Sequence, residues 1–220
     1  MRILPAILTT EASDLEAKLR QAETFTDWVQ IDIMDGVFVP SHSITAAQLA
    51  AVPTRLKLEV HLMVREPQLH LADYQKAGAS RVVIHYEATR SLNEAVSQAR
   101  DLGLSPGLAL NPETPASVLA GFKDSIDFIL LLSVHPGYYG REFIPEVLDK
   151  VAQVRAIAPH WEIGIDGGIK ASNIRQAQAA GLDYVCVGSG VFNNANPKQS
   201  FLSLRQLISG ETGRSGTAST

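Results

Sequence analysis

Val29-Gln30-Ile31-Asp32-Ile33-Met34-Asp35-Gly36 ends an apolar run on acidic residues, and Glu162-Ile163-Gly164-Ile165-Asp166-Gly167-Gly168 repeats the device late in the chain. Short runs that are apolar throughout read as strands buried on both faces, and such strands belong to parallel sheets covered by helices. If both runs are strands of one closed parallel barrel, Asp32 and Asp166 stand at the strand ends, where the active sites of such barrels lie. Two carboxylates facing one cavity suit the removal of a proton from one side of a carbon and its return on the other. The competing reading is that each Asp only caps the following loop or helix. The glycines after Asp166 argue against it, because phosphate-binding loops occupy that part of the barrel.

Working outward, strand-like runs alternate with helix-period segments along the whole chain, the signature of repeated βα units. Eight runs qualify: residues 3–8, 28–33, 56–61, 81–85, 105–110, 128–133, 162–165 and 184–187. Between them lie amphipathic stretches over 14–22, 69–77, 92–102, 145–157, 171–180 and 198–208, with shorter helices expected over 45–51 and 115–122. Gly78, Gly103 and Gly181 follow three of these segments, where a left-handed turn closes a helix most easily. No Gly-x-Gly-x-x-Gly follows the first run, which removes the main argument for a dinucleotide fold. The pattern therefore predicts an α/β protein with a single (β/α)8 TIM barrel over residues 1–209. Residues 210–220 hold almost no large apolar side chain and are expected to be disordered.

With 220 residues, 45% of them hydrophobic and 19% charged, the chain can bury one sizeable core. A net charge of -4 offers no basic surplus, which tells against nucleic acid or an anionic membrane as partner. No stretch approaches eighteen consecutive apolar residues, so no membrane span is expected. The single Cys186 has no partner for a disulfide within the chain and sits among apolar neighbours. It reads as a buried thiol, consistent with the cytoplasmic location expected for this protein.

Strand periodicity sharpens the candidate site. Residues two apart share a face, so Gln30 points with Asp32, and Glu59 points with His61. Polar side chains in a barrel core are costly unless they bind something or one another. Asp32, His61 and Asp166 form a three-ligand set for a divalent metal with open positions, which beside a sugar carbonyl acts as a Lewis acid. Gly167 and Gly168 after the seventh run, with Gly188 and Ser189 after the eighth, can aim backbone amides at a phosphate. The sixth loop, residues 134–143, carries Gly137 and Gly140 and is long enough to close over a ligand. Its other reading is an irregular connection stacked by two tyrosines.

These stretches together resemble the ribulose-phosphate 3-epimerase family from about residue 3 to residue 208. The resemblance rests on Pro5-Ala6-Ile7-Leu8, Ile31-Asp32-Ile33-Met34-Asp35-Gly36-Val37-Phe38-Val39-Pro40, His61-Leu62-Met63-Val64 and Gly107-Leu108-Ala109-Leu110-Asn111-Pro112. Further along, it rests on Ser133-Val134-His135-Pro136-Gly137, Asp166-Gly167-Gly168-Ile169 and Val187-Gly188-Ser189. It implies a barrel of the ribulose-phosphate-binding type that interconverts D-ribulose 5-phosphate and D-xylulose 5-phosphate by proton transfer at C3. Asp32 and Asp166 would then be the catalytic pair, holding a divalent ion (zinc, manganese, magnesium or iron) together with His61. Met34 and Met63 fall where the family packs sulfur near the enediolate, and His61, Gly137, Gly140, Gly167, Gly168, Gly188 and Ser189 join them as substrate-binding candidates. The implied partner is a small sugar phosphate, with a homo-oligomer left open.

The chain departs from the family at four places. Gln30 replaces a metal-binding His and is expected to serve at most as a weak amide ligand, poorly suited to zinc. Ala6 stands for a Ser, Glu59 for an Asp, and the sixth loop reads His135-Pro136-Gly137-Tyr138-Tyr139-Gly140-Arg141, with His135 as a substitute source of polarity and Arg141 as a charge for phosphate. Two other readings stay open: a non-catalytic phosphosugar-binding relative, and a 3-epimerase of a hexulose phosphate.

Overall fold

The computed structural model describes residues 1–137 and 142–209. Eight parallel strands pair in chain order and close on themselves, β1 with β8. They are β1 Arg2–Ile7, β2 Trp28–Met34, β3 Lys57–Met63, β4 Ala79–His85, β5 Ser105–Leu110, β6 Phe128–Leu132, β7 Glu162–Asp166 and β8 Tyr184–Val187. Each apolar run of the sequence is one of these strands, its ends moved by two residues at most. The expected TIM barrel is therefore the observed one.

Helices α1 Ala12–Ala22, α2 Ala46–Ala50, α3 Leu71–Lys76 and α4 Leu92–Asp101 follow the first four strands. Beyond them come α5 Asp149–Ile157, α6 Ile174–Ala179, α7 Ser189–Phe192 and α8 Pro197–Ser209. In α1, Leu15, Leu19 and Ala22 form the buried stripe that the sequence periodicity requires. Segment 115–122 differs from the expected α-helix and winds as the 3-10 helix Ala116–Phe122. Its buried residues Ala116, Leu119 and Phe122 recur every third position, a spacing that three residues per turn bring into line on one face. Helix α6 starts later than expected because Asn173 holds the preceding turn, accepting from the Lys170 amide and donating to the Gly168 carbonyl. Gly78, Gly103 and Gly181 all take positive φ, as helix-closing turns demand.

Strand alternation splits the core. Ile3 and Ile7 of β1 pack outward under the helices, while Leu4 and Ala6 point into the barrel. Counting by twos along the even strands puts Trp28, Arg81, Phe128 and Tyr184 in the lowest interior layer and Gln30, Val83, Leu130 and Cys186 in the next even one. The lowest layer is a cage. Arg81 lies over the rings of Phe128 (4.4 Å), Trp28 (4.8 Å) and Tyr184 (4.8 Å), and pairs with Glu59 at 2.5 Å and Glu162 at 2.7 Å. Tyr184 fits because Gly164 faces it, and any Cβ there would run into the phenol ring. Among the described residues no helix is long and apolar enough to cross a membrane.

Candidate active site

Parallel register sets Asp32 beside His61 and Met34 beside Met63 at the C-terminal ends of β2 and β3. Asp166 ends β7 and lies across the opening from them. The two carboxylates converge on shared donors. His61 Nδ1 is 3.1 Å from Asp32 Oδ1 and 3.3 Å from Asp166 Oδ2. Gln30 Nε2 donates to the same two oxygens, at 2.8 Å and 2.7 Å.

Burial decides the electrostatics. Gln30 and His61 are 0% exposed and Asp32 is 8% exposed. Burial, and then the charge of Asp166, raise the pKa of Asp32. Burial alone would lower that of His61, but hydrogen bonds to Asp166 and Asp32 and their charges carry it up to about 9. The two carboxylates thus favour the protonated imidazole. Behind it, His61 Nε2 meets His85 Nε2 at 2.8 Å, and His85 Nδ1 faces Glu87 Oε2 at 3.5 Å. Burial, aided by the charge of His61, pushes His85 down to about 4, so His85 is neutral and can accept from His61. His85 and Glu87 escaped the sequence reading, although His85-Tyr86-Glu87 at a strand end repeats the spacing that singled out Gln30 and Asp32.

Asp32, His61 and Asp166 each offer one ligand atom, all within 4.8 Å of one another. That donor set fits a divalent metal with open positions, and a ligating imidazole backed through its second nitrogen is the usual arrangement. Gln30, expected as a weak amide ligand, here presents its nitrogen to the carboxylates, and its oxygen accepts from Cys186 Sγ at 2.8 Å. Burial pushes the Cys186 thiol well above its ordinary pKa, so the sulfur keeps its hydrogen.

Around these groups one pocket gathers Met34, Met63, Gly137, Gly167, Gly168, Gly188 and Ser189. Gly167 has φ +112° and faces Val134, so both its backbone conformation and the space beside it exclude a side chain. Gly188 and Ser189 open α7, a helix that the sequence reading missed because it spans only four residues. Lys170 lines the rim and was likewise missed, although a cation two residues after Gly167-Gly168 was a visible signal. Gly137 is held by its carbonyl, which accepts from Ser41 Oγ at 2.6 Å.

Other expectations fall elsewhere. Glu59 sits a layer below the site and is taken by Arg81, the buried counter-charge that a single-strand reading could not supply. His135 turns out to Glu113 at 2.8 Å with its side chain 63% exposed, and it does not line the pocket. Gly140, Tyr138, Tyr139 and Arg141 lie outside the described residues, as does the tail over 210–220.

A closed barrel of eight parallel strands that gathers two carboxylates and an imidazole at their C-terminal ends defines a class, the (β/α)8 barrels, whose active sites lie at that end. Within that class the chain belongs to the ribulose-phosphate 3-epimerase family, whose sequence pattern it matches over residues 2–192. It is 37% identical over 213 residues to the ribulose-phosphate 3-epimerase of Synechocystis sp., covering 92% of each chain. It is 32% identical to that of Bacillus subtilis, covering 93% of this chain and 98% of the other. Among solved structures it is similar to 3-hexulose-6-phosphate synthase from Salmonella typhimurium, with a TM-score of 0.74, 13% identity and coverage of 94% and 98%. Orotidine 5'-phosphate decarboxylase from Pyrococcus horikoshii gives 0.69 at 15% identity, with coverage of 94% and 99%. At such identities the likeness speaks for the fold.

Proposed function

We propose that the protein interconverts D-ribulose 5-phosphate and D-xylulose 5-phosphate by moving the C3 proton between Asp32 and Asp166. The observation that carries this reading is the convergence of both carboxylates on Gln30 Nε2 and His61 Nδ1 at one pocket, in a chain of this family. One carboxylate takes the proton from one face of C3, and the other, protonated, returns one to the opposite face. Burial and the charge of Asp166 raise Asp32, which makes Asp32 the natural carrier of a proton held by the pair.

His61 stands beside the oxygens on which negative charge develops, and its imidazolium favours that charge as long as Nδ1 carries a proton rather than an ion. A divalent ion held by Asp32, His61 and Asp166 would supply Lewis-acid stabilisation of that charge. With two carboxylates and one imidazole as donors, manganese, magnesium or iron(II) suits the set better than zinc. Amides of Gly167, Gly168, Gly188 and Ser189 bind the phosphate, and Met34 and Met63 form the apolar wall of the reacting end.

The test is turnover of D-ribulose 5-phosphate by purified protein, with metal analysis, before and after a chelator. Epimerisation that a chelator suppresses and manganese(II) restores is the expected result. Tight binding of the sugar phosphate with no turnover under any metal would overturn the reading in favour of a binding protein. Faster turnover of a hexulose phosphate would reassign the substrate.

A further inference from the structure

The Gln30 amide spends both its hydrogens on carboxylates and turns its oxygen to a thiol. Rotated by half a turn, it would set its oxygen against Asp32 Oδ1 and Asp166 Oδ2, and its N–H groups against sulfur, a weak acceptor. The carboxylates alone do not settle the orientation, because a cation between them would reward an oxygen turned inward. The deciding group is across the barrel, in the same interior layer: Cys186 of β8, 2% exposed and placed by register beside Asp166.

We propose that Cys186 is a positioning residue whose thiol hydrogen holds the Gln30 amide with its nitrogen toward Asp32 and Asp166. Gln30 then spaces the two carboxylates as a donor and stays out of a metal's ligand set. This rests on the reading of Asp32 and Asp166 as the acid–base pair. Removing the thiol frees the amide to turn, which loosens the carboxylates and at the same time offers a bound cation a fourth ligand.

Full-length protein and its Cys186→Ala, Cys186→Val and Cys186→Ser variants are titrated with cobalt(II), whose visible d–d absorption reports affinity and coordination, and are assayed for kcat and KM. In the Ala and Val variants, kcat falls about three- to tenfold at unchanged KM, the scale of one buried hydrogen bond. Cobalt(II) binds those variants at least about threefold more tightly, with an altered spectrum, on the same scale. Serine, which restores a donor, brings both readouts back toward the parent protein. An Ala or Val variant with the parent's cobalt spectrum and affinity overturns the proposal, as does a Ser variant that behaves like Ala. Either apolar variant serves if the other does not fold. The cobalt titration needs no turnover: expected cobalt shifts in a protein without epimerase activity would sink the proposed reaction and uphold the role of Cys186.

Discussion

The two ends of the barrel interior both bury charge, and they do opposite things with it. At the lower end, Glu59 and Glu162 meet Arg81, Glu162 also meets Arg2, and three aromatic rings seal the guanidinium. At the mouth, two carboxylates share one imidazole and one amide, and their remaining face is a pocket. Burial is the first cause that raises the pKa of both Glu59 and Asp32. The second cause separates them: attraction to Arg81 pulls Glu59 back, whereas repulsion by Asp166 pushes Asp32 further. A buried carboxylate is thus no sign of function in itself. The sign is a like charge beside it and an open face in front of it.

The largest expected effect falls at the mouth. Asp32→Asn and Asp166→Asn each lower kcat by about a hundred- to ten-thousandfold, the span of general acid–base catalysis. Each keeps or raises the melting temperature, since each removes one of two repelling charges. Normal turnover in either variant would take that residue out of the chemistry.

The lower end should break in the other sense. Arg81→Met strands Glu59 and costs about 3–5 kcal/mol of stability in urea denaturation, while kcat per folded molecule holds. Adding Glu59→Leu recovers most of the loss, because an apolar pair can replace a buried ion pair. A fall in kcat with stability intact would show that the two ends are coupled.

The smallest effect concerns a carboxylate of a third kind, at the rim. Asp35 accepts from the amides of Val37, Phe38 and Arg65 and so ties the loop after β2 to the loop after β3. Burial works to raise its pKa, but those amides together hold it below the ordinary 3.8. A depressed folded pKa contributes stability that is present above the unfolded value and is lost as pH falls through the folded one. Asp35→Asn should therefore flatten the fall in melting temperature below about pH 4 and cost about 1 kcal/mol at neutral pH. An unchanged acid limb would show that the loop does not depend on the charge.

This contrast was only partly legible in the sequence. The strands were, because eight apolar runs separated by helix-length segments leave little choice of architecture. Asp32, His61 and Asp166 were also legible, since strand ends and period-two spacing place them without knowledge of any neighbour. What escaped depends on partners far apart in the chain. Arg81 is caged by rings from three other strands, and the Gln30 amide is turned by a thiol 156 residues away. His135 looked suited to the pocket because of its neighbours in the loop, but its pairing with Glu113 is a contact between loops that spacing cannot reveal.

The central claim is that two carboxylates on opposite faces of one carbon exchange its proton with solvent, and proton NMR of the reaction in deuterium oxide tests it most directly. The account predicts that each newly formed D-xylulose 5-phosphate carries deuterium at C3 from its first turnover, in step with epimerisation. Epimerisation that retains protium at C3 would contradict it.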